Sequence, residues 1–201
     1  MVAKNYPLVT FSGMDGTGKT TLAEKIKYYF IKEKGLECDF IHGHGYSVSQ
    51  NSFAVNEKQI HRMRHLLRLL IPLAFADNLY SYLSKYLPVL RKKVLICDRY
   101  FYDKVARLMF YGICTEGMAK VYLNFLPRPD HIFFLDLNID TVYKRKQEYT
   151  KKEYASFSEI YRFLAECLDA PIINTAKPID RCCDEIISKL NKDFNKHDII
   201  K

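Results

Sequence analysis

The sequence predicts a three-layer, doubly wound α/β fold, in which a five-stranded parallel sheet is flanked by helices. Five short apolar runs alternate along the chain with segments of helical periodicity, and a glycine-rich loop joins the first run to the first helical segment. Runs without polar alternation are typical of strands buried on both faces, as parallel strands are. Strands that alternate with helices form such sheets, and ligands bind at the carboxyl ends of the strands.

The elements follow from these patterns in chain order. The first strand is predicted at Leu8–Phe11, and the first helix runs from Lys19 to about Lys34 and ends at Gly35, a residue that commonly closes helices. The other four strands are predicted at Cys38–Ile41, Val94–Cys97, His131–Leu135 and Pro171–Asn174. Periodicity predicts further helices at about 57–70, 73–90, 101–112, 117–125, 139–148, 154–168 and 178–193.

Length and composition predict one domain over residues 1–201, since a chain of this length buries a sizeable core without metals or disulfides. The six cysteines show no CxxC spacing, which indicates reduced thiols. The N-terminus has no signal-peptide pattern, and the longest apolar helical stretch, around Leu66 to Phe75, is too short to cross a membrane. We therefore expect a cytoplasmic protein without a membrane partner.

The charge balance also bears on function. With 31 Lys+Arg and 23 Asp+Glu, the net charge is +8, which fits either a nucleic-acid surface or a site for phosphorylated small molecules. No basic block is interleaved with aromatic residues, as single-strand binders require. The sequence therefore favours a small phosphorylated partner over nucleic acid.

The glycine-rich loop is the most informative motif. Its glycines let the backbone turn tightly, so that successive N–H groups hold phosphate oxygens at the N-terminus of the next helix. Lys19 adds a positive charge at the β- and γ-phosphates, and the Thr20 hydroxyl is placed to bind Mg²⁺. We predict a P-loop for Mg-ATP, with Lys19 catalytic, Thr20 a metal ligand, and nucleotide contacts from Gly13, Asp15, Gly16, Thr17, Gly18, Lys19, Thr20 and Thr21.

The loop leaves two questions open. A glycine-rich turn before a helix is the structural alternative, and kinases, GTPases and ATP-driven machines share the motif.

A second motif narrows the choice, because the third predicted strand ends in Asp98-Arg99-Tyr100. We predict that Asp98 and Arg99 are catalytic: Asp98 binds Mg²⁺ through water or orients an acceptor oxygen, and Arg99 binds an acceptor phosphate. A surface ion pair is the alternative.

Four segments occur together along the chain: Phe11–Thr21, Asp98–Tyr100, Pro129–Leu137 and Lys144-Arg145. In order and spacing they resemble the thymidylate kinase family of nucleoside monophosphate kinases. The resemblance implies the P-loop nucleotide kinase fold, ATP-dependent phosphorylation of a nucleoside monophosphate with dTMP as the leading acceptor, and a dimer, which is common in that family. It also implies that Asp15 lies near the acceptor sugar and that the loop after the fifth strand holds adenine, which makes Thr175 and Lys177 candidate cofactor-binding residues.

A mobile basic lid is a further implication, and the residues agree with it. Five cations follow the fourth predicted strand, namely Lys144, Arg145, Lys146, Lys151 and Lys152. Cations that close over a transferring phosphoryl group stabilise its charge and exclude water. We predict a lid around 144–153 with Arg145 as a catalytic residue, and a solvated basic face is the alternative.

Three differences from the family pattern fall on the acceptor side. The segment after the second predicted strand, where the family has Arg-Glu-Pro-Gly-Gly, reads His42-Gly43-His44-Gly45-Tyr46. The predicted helix around Leu73–Leu79 lacks an arginine that the family has there, and Asp103 stands where the family has a serine. A basic stripe of His61, Arg64, His65 and Arg68 is a candidate replacement for the arginines, and a zinc site at His61 and His65 is not favoured because neither carboxylate nor cysteine adjoins them. For His42 and His44 the sequence leaves two interpretations open, metal ligands or loop residues without a special role. For Phe75 the alternatives are stacking on a base and packing in the core.

Two other functions stay open from the sequence. One is a kinase whose acceptor is a nucleoside or another phosphorylated metabolite, which the altered acceptor segments allow. The other is a nucleotide-dependent switch or a nucleic-acid-associated ATPase, which would use the net charge of +8. The strand end at Asp98-Arg99 and the basic lid favour the kinase.

Overall fold

The computed structural model describes residues 6–43 and 57–194, with side chains at 6–43 and 63–192. Its strands are β1 (Leu8–Gly13), β2 (Cys38–His42), β3 (Val94–Asp98), β4 (His131–Asp136) and β5 (Ile172–Asn174). Its helices are α1 (Lys19–Lys32), α2 (Glu57–Arg68), α3 (Ile71–Ser81), α4 (Leu87–Leu90), α5 (Phe101–Phe110), α6 (Glu116–Phe125), α7 (Ile139–Arg145), α8 (Lys151–Cys167) and α9 (Ile179–Phe194).

The strands form one parallel sheet in the order β2-β3-β1-β4-β5, so the predicted α/β fold is confirmed. From β1 the chain passes to β2 at one edge of the sheet and returns through β3, which lies between β2 and β1. It then crosses to the other side of β1 to add β4 and β5. In such sheets the crevice for a ligand opens where the winding direction reverses. The carboxyl ends of β1, β3 and β4 therefore border the expected ligand site.

Two apolar layers hold the sheet. Successive side chains of a strand point to opposite faces, so Val9 and Phe11 of β1 pack with α1 and α9, while Leu8 packs with the helices of the other face. The second layer includes α5, α6 and α8 through Val105, Tyr122 and Leu164. All six cysteines are free thiols, and all but Cys167 are buried.

The predicted helix at 73–90 is helical throughout, but a π-helical turn at Tyr82–Tyr86 separates α3 from α4. Leu87 N–H bonds the Tyr82 carbonyl, five residues back rather than four. Pro88 explains the change, because proline lacks an N–H and its ring clashes with the carbonyl four residues earlier in a regular helix. Among the described helices, none is both long enough and apolar enough to span a membrane.

The segment predicted as a lid contains the end of α7, a short connection and the start of α8. The helix predicted at 139–148 ends earlier, at Arg145, and the helix predicted at 154–168 begins earlier, at Lys151. The early start follows from a capping box: Glu153 N–H donates to Thr150 Oγ1 at 3.3 Å, and Thr150 N–H donates to the Glu153 carboxylate at 2.7 Å.

Candidate functional site

The P-loop joins β1 to α1 at the carboxyl edge of the sheet. Gly13 has φ 150° and runs so close to β4 that a Cβ there would lie 2.6 Å from the Leu135 carbonyl oxygen. Gly18 has φ 89° and precedes the first residue of α1. Only glycine meets both demands without strain, which explains the spacing of the motif.

Lys19 is 5% exposed and is held inside the loop. Its Nζ donates to the carbonyls of Gly13 at 2.8 Å and Met14 at 2.7 Å, and lies 3.7 Å from the Asp15 carboxylate. Burial lowers the pKa of Lys19, while Asp103, Asp15 and Asp98 act to raise it. The ammonium group is thus fixed against the loop that is predicted to bind phosphates.

Asp98 and Thr20 form an oxygen-rich corner beside the loop. Thr20 Oγ1 donates to Asp98 Oδ2 at 2.5 Å, and His42 Nδ1 lies 3.2 Å from the same oxygen. Asp98 is 2% exposed, and its Oδ1 has no hydrogen-bond partner among the described residues. Magnesium prefers oxygen ligands and is usually held by one or two carboxylates together with water and substrate phosphates. A hydroxyl and a buried carboxylate with an unpartnered oxygen fit that ion.

Arg99 is held in an uncommon backbone conformation. Its φ is 77°, a region that residues other than glycine rarely adopt. Gly43, the residue after β2, packs directly against the Arg99 backbone, because a Cβ on Gly43 would lie 2.1 Å from the Arg99 carbonyl oxygen. The guanidinium forms an ion pair with Asp15 of the P-loop. Strained conformations of this kind persist where the surroundings impose them and cluster at functional sites.

A cavity that is open to solvent lies beside the P-loop and is lined by Gly13, Met14 and Asp15. Four aromatic side chains of the connection after α7 and of α8 also line it, namely Tyr149, Tyr154, Phe157 and Tyr161. The remaining lining residues are charged and belong to β3's end and α5: Arg99, Asp103 and Arg107.

The chain is similar to known proteins over almost its whole length. The thymidylate kinase family model matches residues 11–186. The chain belongs to the thymidylate kinase family.

Curated relatives of this family member include the probable thymidylate kinases of Sulfurisphaera tokodaii and Methanocaldococcus jannaschii. Both are 26% identical, the first over 81% of this chain and 86% of the relative, and the second over 90% and 94%. The solved thymidylate kinase of Ehrlichia chaffeensis has a TM-score of 0.61 at 18% identity, covering 92% of this chain and 99% of its own. The solved thymidylate kinase of Candida albicans gives 0.64 at 17%, covering 96% and 94%. Family membership makes the chain a nucleoside monophosphate kinase, a phosphotransferase.

Several residues predicted to act together in this thymidylate kinase family member do lie together. Asp98 and Arg99 contact the P-loop residues Thr20 and Asp15, and Lys19 of the loop lies at the same edge of the sheet. Arg145 Nη1 lies 3.4 Å from the Gly16 carbonyl, so the end of α7 reaches over the loop. The other lid cations that have partners are engaged locally, in ion pairs of Lys146 with Glu148 at 2.9 Å and of Lys151 with Asp140 at 2.5 Å.

The candidate adenine loop follows β5 at the same edge of the sheet. The Thr175 N–H and hydroxyl both donate to the Asp136 carbonyl, at 2.8 and 3.1 Å, which fixes the loop against the end of β4. Lys177 pairs with Glu185 of α9 at 3.0 Å. The Thr175 side chain and N–H are therefore both used to shape the loop, and the predicted adenine contacts of Thr175 and Lys177 stay predictions.

The basic stripe on α2 divides into different roles. Arg68 donates to the backbone carbonyls of Ile113 at 3.0 Å and Gly112 at 3.1 Å, so it anchors α2 to the turn after α5. Arg64 and His65 are exposed. The side chain of His61, like all of His44, lies outside the described residues. Arg68 thus has a structural contact that the stripe hypothesis did not include.

Phe75 is half-buried and packs against the core. Its ring lies edge-on to Tyr122 with centroids 5.5 Å apart and to Phe125 at 6.1 Å. It does not line the cavity beside the P-loop. These contacts favour the core interpretation over stacking on a base.

Asp103 and Arg107 line the cavity, and the sequence-based site prediction missed both. The signal was present, because Asp103 and Arg107 lie four residues apart in the helical segment that follows Asp98-Arg99. Residues at that spacing share one helix face. A strand end that carries Asp-Arg therefore predicts that the next helix also turns a polar face to the site.

Proposed function

We propose that the protein transfers the γ-phosphoryl group of Mg-ATP to a nucleoside monophosphate, with dTMP as the leading acceptor. The observation that carries this proposal is the cavity beside the P-loop, in which Arg99 reaches the loop through its ion pair with Asp15. A donor loop and an acceptor cavity that share one wall allow direct transfer between two bound nucleotides. Such transfer needs little covalent chemistry from the protein, which acts by positioning and by charge neutralisation.

The donor half of the proposal assigns roles to the residues around the P-loop. Backbone N–H groups between Gly13 and Thr20 bind phosphate oxygens, and Lys19 neutralises charge on the β- and γ-phosphates. Thr20 and Asp98 would hold Mg²⁺, which would neutralise negative charge on the phosphates when bound. Arg145 completes the cover from the lid around 144–153, and the loop with Thr175 and Lys177 would hold adenine. The contact of Arg145 with the Gly16 carbonyl supports the lid assignment.

The acceptor half rests on two guanidinium groups in one cavity. Arg99 lies at the end beside the P-loop, and Arg107 lies one helical turn beyond Asp103 on α5. The Arg107 side chain forms no ion pair with any carboxylate in the part of the chain that the structure describes. Two carboxylates line the same cavity, but Asp15 pairs with Arg99 and the Asp103 oxygens are hydrogen-bonded by neutral donors. Arg107 therefore supplies a positive charge that favours an acceptor with a phosphate over an uncharged nucleoside. Arg107 thereby replaces part of the positive charge that the altered segment after β2 lacks.

The test of the acceptor is ADP release measured with Mg-ATP and a panel of nucleotides, nucleosides and phosphorylated metabolites. We expect dTMP to stimulate ADP release strongly and thymidine to stimulate it weakly. Strong release with a nucleoside or another metabolite and none with dTMP would remove dTMP as the acceptor. Release stimulated by DNA or RNA without any small acceptor would instead support the nucleic-acid-associated ATPase.

Alanine at Arg107 is expected to raise the KM for the acceptor about tenfold, with little change in the KM for ATP, because one charge-assisted hydrogen bond to the acceptor is lost. Arg181→Ala is the matched control, since Arg181 is exposed on α9 and does not line the cavity. Steady-state kinetics with each substrate varied in turn measure both constants. An unchanged KM for the acceptor would remove Arg107 from the acceptor site.

We also propose that the protein is a homodimer. Large apolar side chains are exposed along α2, α3 and the connection between them, including Leu66 at 62%, Leu69 at 75% and Leu73 at 68%. An exposed apolar surface of this kind is typical of a contact between proteins. Light scattering in solution is expected to give twice the chain mass of 23.6 kDa. A mass of one chain at micromolar concentration would contradict the dimer.

A further inference from the structure

Four hydrogen-bond donors converge on the carboxylate of Asp103. Oδ2 accepts from the Ser12 hydroxyl at 2.8 Å and from the Tyr100 N–H at 2.9 Å. Oδ1 accepts from the Gly13 N–H at 3.2 Å and from the Tyr161 hydroxyl at 2.9 Å. The donors come from the end of β1, from the residue before α5 and from α8.

Only one of these four bonds is needed to cap the N-terminus of α5. Asp103 is the third residue of α5, and a side chain there commonly reaches back to the N–H of the residue before the helix, as Asp103 does with Tyr100. The other three bonds leave α5. Asp103 is 5% exposed and forms no salt bridge with a cation among the described residues, so these neutral donors are what satisfies its oxygens. The buried ammonium of Lys19 adds a favourable electrostatic interaction without direct contact.

The Gly13 peptide is held from both sides. Its N–H donates to Asp103, and its carbonyl accepts from Lys19 Nζ at 2.8 Å. Gly13 is also the residue at which the chain leaves β1 and enters the P-loop, with φ 150°. Whatever fixes this peptide also fixes the first turn of the loop and the groups that follow it.

We propose that Asp103 is a positioning residue for phosphoryl transfer: its carboxylate holds the entrance of the P-loop against α5 and against α8, the helix whose first residues belong to the lid. The expected effect on kcat rests on the proposed function. The expected effect on nucleotide affinity requires only that the P-loop binds the donor nucleotide. Because α8 begins at Lys151, one carboxylate links the donor loop to the helix from which the lid extends.

Asparagine at Asp103 tests the proposal sharply, because each carboxylate oxygen accepts one backbone N–H, Gly13 on Oδ1 and Tyr100 on Oδ2. The side-chain amide has one accepting oxygen and one NH₂ group. Hydroxyl groups can rotate to accept from an NH₂ group, but backbone N–H groups cannot. In either orientation, one buried backbone N–H therefore faces a donor.

For Asp103→Asn we expect the affinity for Mg-ADP, measured by calorimetry without acceptor, to fall about tenfold, as an unpaired buried donor implies. The kcat is expected to fall by at least the same factor, while the KM for the acceptor changes less than about threefold. All measurements are made well below the melting temperature of each variant. Mg-ADP binding tests the proposal even if dTMP is not the acceptor, so the two proposals fail separately.

Asp130→Asn is the matched control. Asp130 Oδ2 accepts the Leu8 N–H at 2.6 Å, so the same chemical change is made at the opposite end of β1, away from the P-loop. This variant is expected to lose stability while it keeps the affinity for Mg-ADP and the kcat of the unchanged protein. Equal losses in both variants would show a general effect of loosening β1 and would overturn the proposal.

Two further results would also overturn it. Unchanged Mg-ADP affinity and kcat in Asp103→Asn would limit Asp103 to capping α5, and a change confined to the KM for the acceptor would make it a contact of the acceptor. If Asp103→Asn does not fold, the double variant Ser12→Ala with Tyr161→Phe keeps both backbone bonds and removes both hydroxyl bonds. The kcat of this double variant is expected to fall about fivefold, and an unchanged kcat would contradict the proposal that Asp103 links the P-loop to α8.

Discussion

Alanine at Lys19 is expected to lower ATP-dependent phosphoryl transfer about a thousandfold or more, since the positive charge that meets the developing negative charge of the transferred group is removed. Lys19 is 5% exposed, and its ammonium group is fixed by the carbonyls of Gly13 and Met14. A cation preorganised in this way costs no reorganisation during the reaction, and water cannot replace it in the same position. The rate of ADP release at saturating acceptor measures the loss.

Lys25→Ala is the control for this change, because Lys25 lies on the same helix and its ion pair with Asp180 is exposed. Exposed pairs contribute little, so this variant should keep its activity within about twofold. Mg-ADP affinity should fall in Lys19→Ala and stay constant in Lys25→Ala. If Lys19→Ala kept a tenth of the activity, the P-loop would not be the donor site, and the proposed mechanism would be wrong.

The parts of the site that the sequence predicts are those whose chemistry is contiguous along the chain. The P-loop needs glycines, a lysine and a threonine within eight residues, and Asp98 and Arg99 follow directly after a buried strand. A parallel sheet then brings the two segments together, because the carboxyl ends of its strands share one edge. Phe11 of β1 pairs with Asp98 of β3, which places the two motifs side by side.

The parts that the sequence did not predict depend on packing between distant helices. The role of Asp103 arises from Tyr161, 58 positions further along the chain, and the role of Arg68 arises from carbonyls 44 and 45 positions away. Neither partner carries a motif. The π turn at Tyr82–Tyr86 belongs to the same class, since periodicity indicates a helix there and the effect of Pro88 on its geometry depends on the local packing.

Lysine at Arg99 is expected to lower kcat/KM for the acceptor by about a hundredfold or more, although the charge is retained. The planar guanidinium can bond Asp15 and an acceptor phosphate at the same time, because its donors point in fixed, separate directions. An ammonium group is a point charge and cannot span both partners in this geometry. Since φ is 77° at this position for either residue, the backbone strain is the same in both proteins and the difference reports on the side chain.

Arg181→Lys makes the same substitution on exposed α9 and should leave all kinetic constants within about twofold, as surface changes usually do. The loss in Arg99→Lys should also depend on the acceptor. Because Arg99 is proposed to bind the acceptor phosphate, Mg-ADP affinity should change far less than kcat/KM for the acceptor. Equal losses in both would move Arg99 to the donor side, where it would act through Asp15 on the conformation of the P-loop, and Asp15→Asn should then reproduce its effect.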